Sequence, residues 1–225
     1  MRSFVGFLIV ALVKIFSHIF YRLELQWLTP KPDDVWEKTR IVAILNHTSL
    51  YEPLFGQAMP FRFVWRFVHK MVAPAADVTF NRPIVGRFWK LMIPHASTIT
   101  RKRDETWNHF MKRMDHDSLI VIAPEGRMKR PTGLDKDGKP MTVRGGIADI
   151  LEQMDDGYLL LALSGGLHHV QAPGQFMPRL FKTIKLNFEV IDIAEYKKGL
   201  PQEARAFKLK VVEDLQFRLE NHCPR

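Results

Sequence analysis

Cysteine is almost missing from this chain of 225 residues, and its one example, Cys223, excludes an internal disulfide framework and a cysteine-rich zinc site. A reducing compartment is therefore the default. The nucleophile elbow Gly-x-Ser-x-Gly is incomplete as well: Ala162-Leu163-Ser164-Gly165-Gly166 lacks the first glycine, which argues against a serine hydrolase. His168 and His169 are adjacent, so their side chains diverge, and no third ligand at metal spacing stands nearby. They read as structural or surface histidines, and no metal is expected. Asp135 and Asp137 lack the spaced ligands and closing glutamate of a calcium loop. There is no internal repeat, no low-complexity tract, and no base-stacking module or recognition-helix motif, so nucleic acid is not expected as a partner.

Acid is the scarce charge. Asp and Glu number 24 against 33 Lys and Arg, which gives a formal charge of +9 and a pI near 9.7. Such a surface attracts anions, whether phosphorylated substrates, acidic lipid headgroups or nucleic acid. A 46% hydrophobic share and this length suit one domain, or one domain with an appendage, able to bury a substantial core.

The N-terminus narrows the choice of anion. Phe4 to Val13 is apolar apart from Gly6, after which Lys14, Ser17, His18 and Arg22 alternate with Ile15, Phe16, Ile19 and Phe20. Ser3, Lys14, Ser17 and Arg22 fall near one stripe at helical spacing, which favours a helix lying in a membrane interface over one that spans it. Spanning takes about 20 apolar residues, and Lys14 interrupts the run. Phe20-Tyr21-Arg22-Leu23-Glu24 offers no small-residue cleavage site, so a removed signal peptide is not expected. The expected organisation is a membrane-associating helix over residues 1–26 and one catalytic domain over 27–225, with residues 27–40 as an exposed connection.

Ile41 to Leu45 reads as a buried strand, and Asn46-His47-Thr48-Ser49 breaks it with turn-prone polar residues. Four residues separate His47 from Glu52, so a turn running into a helix can join imidazole and carboxylate as a base and its orienter. The same residues would also serve as a simple helix cap with a solvated histidine. Phe61 to Val72 fits a strand or a helix. Pro83–Leu91 and Asp104–Met114 read as helices, and Ser97 to Thr100 as a short strand leading into Arg101-Lys102-Arg103, three cations that suit a phosphate. Leu119 to Ala123 is a second buried strand and ends in Pro124-Glu125-Gly126-Arg127-Met128-Lys129-Arg130, where glycine allows a tight turn. A helix from Arg144 to about Met154, a strand over Tyr158–Leu163, an alternating strand over Ile184–Ile193 and a helix over Gln202–Asn221 complete the chain. Strands alternating with helices predict an α/β domain, its mostly parallel or mixed central sheet flanked by helices, with His47, Arg101 and Glu125 on one rim.

Several of these pieces together resemble the lysophospholipid acyltransferase superfamily, which includes the bacterial 1-acylglycerol-3-phosphate acyltransferases. Asn46-His47-Thr48-Ser49-Leu50-Tyr51-Glu52 resembles its Asn-His-x-Ser-x-x-Asp block, with glutamate where aspartate is usual. Ser97 to Arg101 resembles the second block, a strand ending in arginine. Pro124-Glu125-Gly126-Arg127 resembles Phe-Pro-Glu-Gly-Thr-Arg, with Ala123 in place of phenylalanine and no threonine. Val143-Arg144-Gly145-Gly146 resembles the basic-glycine step, and Leu161-Ala162-Leu163 sits where Val-Pro-Val is expected. The order and separation of these blocks cover residues 41 to 165.

The resemblance implies acyl transfer from acyl-CoA or acyl carrier protein to a hydroxyl of a lipid acceptor such as lysophosphatidate, with the thioester as co-substrate and no other cofactor. His47 would be the general base, since imidazole takes a proton near neutral pH, and Glu52 would orient it. Transfer would be direct, needing neither Ser49 nor Cys223 as nucleophile. Arg101 and Glu125-Gly126-Arg127 would hold the acceptor's anion, with Arg103, Lys129 and Arg130 behind them, and amides near Gly126 would meet the oxyanion. The partners implied are membrane lipids and the acyl donor, at the cytoplasmic face of the inner or an equivalent membrane. The glutamate and the missing threonine leave open another acceptor, a lyso-aminolipid or glycolipid, and a silent lipid-binding relative.

Overall fold

Parallel strands covered on both faces need unbroken apolar runs, and the three such runs in this chain become the middle of its sheet. The computed structural model describes residues 2–76, 83, 85–92, 97–100, 104–175 and 177–225, so the basic cluster at 101–103 lies outside the described residues. Helix α1 (Arg2–Phe20) leads directly into strand β1 (Tyr21–Trp27), then a short helix α2 (Val35–Lys38) and strand β2 (Thr39–Leu45). A 3-10 turn at Glu52–Ala58 precedes α3 (Phe61–Lys70), β3 (Met71–Val72) and β4 (Pro74–Ala76). Then come α4 (Val85–Met92), β5 (Ser97–Ile99), α5 (Glu105–Lys112), β6 (Leu119–Ile122), α6 (Gly146–Glu152) and β7 (Tyr158–Ser164). The chain closes with β8 (Lys182–Asp192), α7 (Ile193–Lys198) and α8 (Ala204–Asn221).

Six strands form one sheet in the order β1-β8-β7-β2-β6-β3, and β4 pairs with β5 in a separate parallel ribbon. β2 runs parallel to β6 and β7, β3 parallel to β6, and β8 antiparallel to β7. The domain is thus α/β with a mixed sheet, as the alternation of elements predicts. On one face Phe110 of α5, Ile147 of α6, Ile193 of α7 and Leu215 of α8 cover the strands. The opposite face packs the 3-10 turn and α3 through Leu54, Phe55 and Phe63 onto Val42, Leu160 and Phe188. Covering both faces leaves the C-terminal ends of β2 and β6 as the accessible rim, where polar residues can gather.

Three expectations change at the N-terminal side. The helix ends at Phe20, and Tyr21–Trp27 is the edge strand of the sheet, in register with Lys182–Phe188 of β8, so a boundary at residue 26 falls inside the domain. Residues 27–40 are not a bare connection. Trp27 and Trp36 stack on one another and on Phe188, while Val35 and Thr39 are fully buried. Arg66, on the now unambiguously helical α3, is used structurally there, donating to the carbonyls of Trp36 at 3.2 Å and Thr39 at 2.8 Å.

The third change is the sense of α1. Its polar stripe does not face water: Lys14 donates to the carbonyls of Gly56 and Gln57 at 3.3 and 2.8 Å, and Ser17 to that of Leu54 at 2.9 Å. Gly6 and Val10 continue this inward line against α3 and α4, where a Cβ on Gly6 would stand 2.9 Å from Val68 Cγ1. The outward face is left to Phe4, Leu8, Leu12, Ile15 and Ile19. Among the described residues α1 is one helix long and apolar enough to cross a membrane. Yet it lies along the domain, packed on the 3-10 turn, α3 and α4.

Candidate active site

β2 ends at Leu45, and Asn46 turns the chain with φ of 62°, a left-handed conformation that asparagine tolerates better than most residues. Its Nδ2 donates to the carbonyl of Ser164 at 2.8 Å, fixing the turn to the end of the neighbouring β7. His47 follows with its backbone held on both sides. Its N–H donates to Glu125 Oε2 at 2.7 Å, and its carbonyl accepts from the N–H of Lys129 at 2.8 Å. Strands β2 and β6 are neighbours, so the loop after each supplies the other's partner.

The imidazole and the Glu52 carboxylate meet as the spacing anticipates. His47 Nδ1 lies 2.6 Å from Glu52 Oε2, and Glu52 Oε1 accepts the N–H groups of Thr48 at 3.1 Å and Ser49 at 3.4 Å. The Glu52 side chain is 7% exposed and that of His47 19% exposed. A carboxylate held by three donors and largely shielded from water orients the ring. With Nδ1–H directed to Glu52, the ring's other nitrogen, Nε2, lies on the side away from the carboxylate. The cap reading thereby merges with the catalytic one, since the loop amides are satisfied by the side chain that holds the histidine.

His47 and Glu52 stand at the polar end of a cavity of about 580 Å³, within the usual range for small-molecule sites. Its walls are mostly apolar and include Phe55, Met59, Val64, Phe67 and Trp89 beneath α1, α3 and α4. At the His47 end the lining passes to Gly126, Arg127, Arg144 and Gly145.

The turn after β6 departs from the expectations placed on it. Gly126 has φ of 68°, and its N–H is committed to the carbonyl of Ala123 at 2.9 Å, so that amide is used by the turn and does not point at an oxyanion. Glu125 is 1% exposed, with Oε2 on the His47 N–H and Oε1 without a partner among the described residues. Burial pushes its carboxyl up to about 7, against the opposing pull of the His47 N–H. Glu125 sits under the histidine loop and braces it through the His47 N–H. Arg127 is also occupied: its guanidinium pairs with Asp135 and with Asp137, the latter at 2.5 Å. Asp135 is fixed in turn by the N–H groups of Asp137 and Lys139 at 2.8 and 2.9 Å, and these bonds together with Arg127 hold its pKa down at about 2.

Lys129 remains near the histidine, its Nζ 3.5 Å from Asn46 Oδ1 and its carbonyl within 2.8 Å of His168 Nε2. Arg130 belongs to the backbone of the following hairpin, bonded to Leu134 and Gly133. Arg101 and Arg103 fall outside the described residues. The cation that sequence reasoning left without a role is Arg144. Its N–H donates to Pro124 and its Nε to the Glu125 carbonyl at 3.1 Å, and its stem lies over Gly126, where a Cβ would come within 3.3 Å. The signal for it was the Val143-Arg144-Gly145-Gly146 step.

The acyltransferase family model matches residues 28–164, a span that contains His47, Glu52, Glu125, Arg127 and Arg144. Among solved structures the fold is similar to the crystal structure of the 1-acyl-sn-glycerophosphate (LPA) acyltransferase PlsC from Thermotoga maritima, with a TM-score of 0.55 and 18% identity. That alignment covers 96% of this chain and 81% of the other. Comparison with curated proteins gives no match.

Proposed function

The chain belongs to the acyltransferase family and is an O-acyltransferase, and from that premise we propose that it carries a fatty acyl group from acyl-CoA or acyl carrier protein to the hydroxyl of a lyso-glycerophospholipid at a membrane surface. The observation that carries this reading is the His47–Glu52 pair at 2.6 Å, set at the polar end of an apolar cavity large enough for a lipid chain. The apolar outward face of α1 supports the membrane location.

In this reading His47 Nε2 takes the proton of the acceptor hydroxyl as its oxygen attacks the thioester carbonyl. The tetrahedral intermediate collapses by breaking the carbon–sulfur bond, and the proton passes from the imidazolium to the departing thiolate. Glu52 holds Nδ1–H throughout and stabilises the imidazolium, so no acyl-enzyme is needed. Glu125 braces the loop from below through the His47 N–H. Arg144, at the cavity's polar end, is the described cation best placed for an acceptor's anionic group.

One observation favours a second acceptor class. Arg127, the cation expected to hold a phosphomonoester, already serves two carboxylates, which favours an acceptor whose headgroup makes no such demand, a lyso-aminolipid or glycolipid. Purified protein incubated with mixed lyso-lipids and both acyl donors, its products identified by mass, decides between them. Lysophosphatidate as the preferred acceptor supports the first reading and removes the second. Absence of any acylated lyso-lipid with either donor overturns both.

A further inference from the structure

Phe181 is hard to explain as a part of the fold. It is 76% exposed, and its φ of 58° is a left-handed conformation that a bulky residue rarely adopts. Its ring meets that of Phe20, yet glycine would suit this backbone with less strain, and such strain gathers where a surface has work to do. The position is also well held. Its N–H donates to the Phe20 carbonyl at the end of α1 at 2.8 Å, its ring lies 5.7 Å from the Phe20 ring, and Phe20 lies 4.6 Å from Phe16.

Two neighbours share this exposure. Met177 is 70% and Leu180 38% exposed, and the N–H of Arg179 fastens the segment to the Val170 carbonyl at 2.8 Å. The apolar residues are flanked by exposed cations: Arg179 before Phe181, Lys182 after it, and Arg22 on the adjoining strand, whose register partner is Thr183. Because Phe181 is tied to the last residue of α1, the cluster prolongs the outward stripe of Leu8, Leu12, Ile15 and Ile19 beyond the helix end.

We propose that Met177 to Phe181 is a second membrane-inserting element, which docks the α1 side of the domain on an anionic bilayer with Phe181 as its wedge and Arg179, Lys182 and Arg22 on the headgroups. Bulky side chains below a ring of cations match the layering of an anionic leaflet, with acyl chains beneath phosphates. A second copy of the chain would have to bring acidic residues to this rim, whereas anionic lipid supplies that charge everywhere. Carrying the lipid contact past the end of α1 would help to fix the tilt of the domain. The proposal rests on the reading of α1 as lipid-facing.

The test uses the full chain and vesicles of phosphatidylcholine with and without phosphatidylglycerol. Phe181→Gly suits the left-handed backbone, so thermal stability should hold or rise while vesicle partition falls roughly tenfold, as expected for a lost buried aromatic. Arg179→Gln with Lys182→Gln should weaken binding to the anionic vesicles alone. Turnover of detergent-dispersed substrate should remain unchanged in both, which separates this proposal from the assignment of the reaction. If Phe181→Gly binds vesicles as wild type does while Leu12→Asp does not, the wedge is refuted and the α1 reading survives. If neither variant loses binding, both fall. A concentration-dependent dimer that Phe181→Gly dissolves would likewise overturn the proposal in favour of a second copy.

Discussion

Replacing Glu125 with glutamine removes an ionisable proton but keeps an acceptor for the His47 N–H, so it isolates what the buried charge does to the fold. The carboxyl is 1% exposed and lifted from its ordinary 4.5 to about 7. A difference of about 2.5 at 1.36 kcal/mol for each tenfold in proton affinity amounts to roughly 3 kcal/mol. The sign follows from which state ionises first. Between these two values the unfolded chain has lost its proton while the folded one retains it. The stabilisation is therefore complete below 4.5, declines as pH rises, and is gone above about 7. Glu125→Gln should abolish that decline. The amide NH2 of glutamine falls where Oε1 has no partner, a cost of about 1–3 kcal/mol that does not vary with pH, so the slope is diagnostic and the absolute stability is not. Urea unfolding of both proteins from about pH 4 to about pH 8 should show the variant gaining roughly 3 kcal/mol on wild type across the range. Parallel pH profiles would refute the burial argument.

Other residues are open to equally direct tests. Glu52→Gln should lower kcat by about a hundredfold or more with the folded signal intact, because the ring loses its charged orienter, whereas Glu52→Asp should keep measurable activity; wild-type turnover in Glu52→Gln would remove the orienting role. Asn46→Ala should destabilise by about 2 kcal/mol through its left-handed backbone and the lost bond to Ser164, and Asn46→Gly by less; equal midpoints in thermal melts would contradict this. Asp135→Asn together with Asp137→Asn should free Arg127 and raise kcat/KM for lysophosphatidate relative to uncharged acceptors; an unchanged ratio would show that the pairing does not govern headgroup choice.

What the sequence allowed depended on whether a segment's physics is local. Ile41–Leu45, Leu119–Ala123 and Tyr158–Leu163 were legible because a strand buried on both faces must be apolar throughout, and His47 and Glu52 because their spacing closes within one turn. Tyr21–Trp27 passed for part of the helix and its connection. It alternates as an edge strand should, but its partner lies some 160 positions along the chain, as the register of Tyr21 with Lys182 shows. The stripe of Lys14 and Ser17 was visible, yet its direction was not. A polar stripe points to water unless the body offers acceptors, and here the carbonyls of Leu54, Gly56 and Gln57 do. The pairing of Arg127 was hidden for the same reason. Its charge was plain, but the hairpin that returns Asp135 and Asp137 to it is a feature of the folded loop.

The central claim is that His47 is the base of an acyl transfer. Turnover of the preferred lyso-lipid should be measured for wild type and His47→Ala at matched folding, judged by circular dichroism and melting temperature. The account predicts a loss of about a thousandfold or more in kcat, restored neither by detergent nor by excess substrate. Turnover within a few fold of wild type would contradict it.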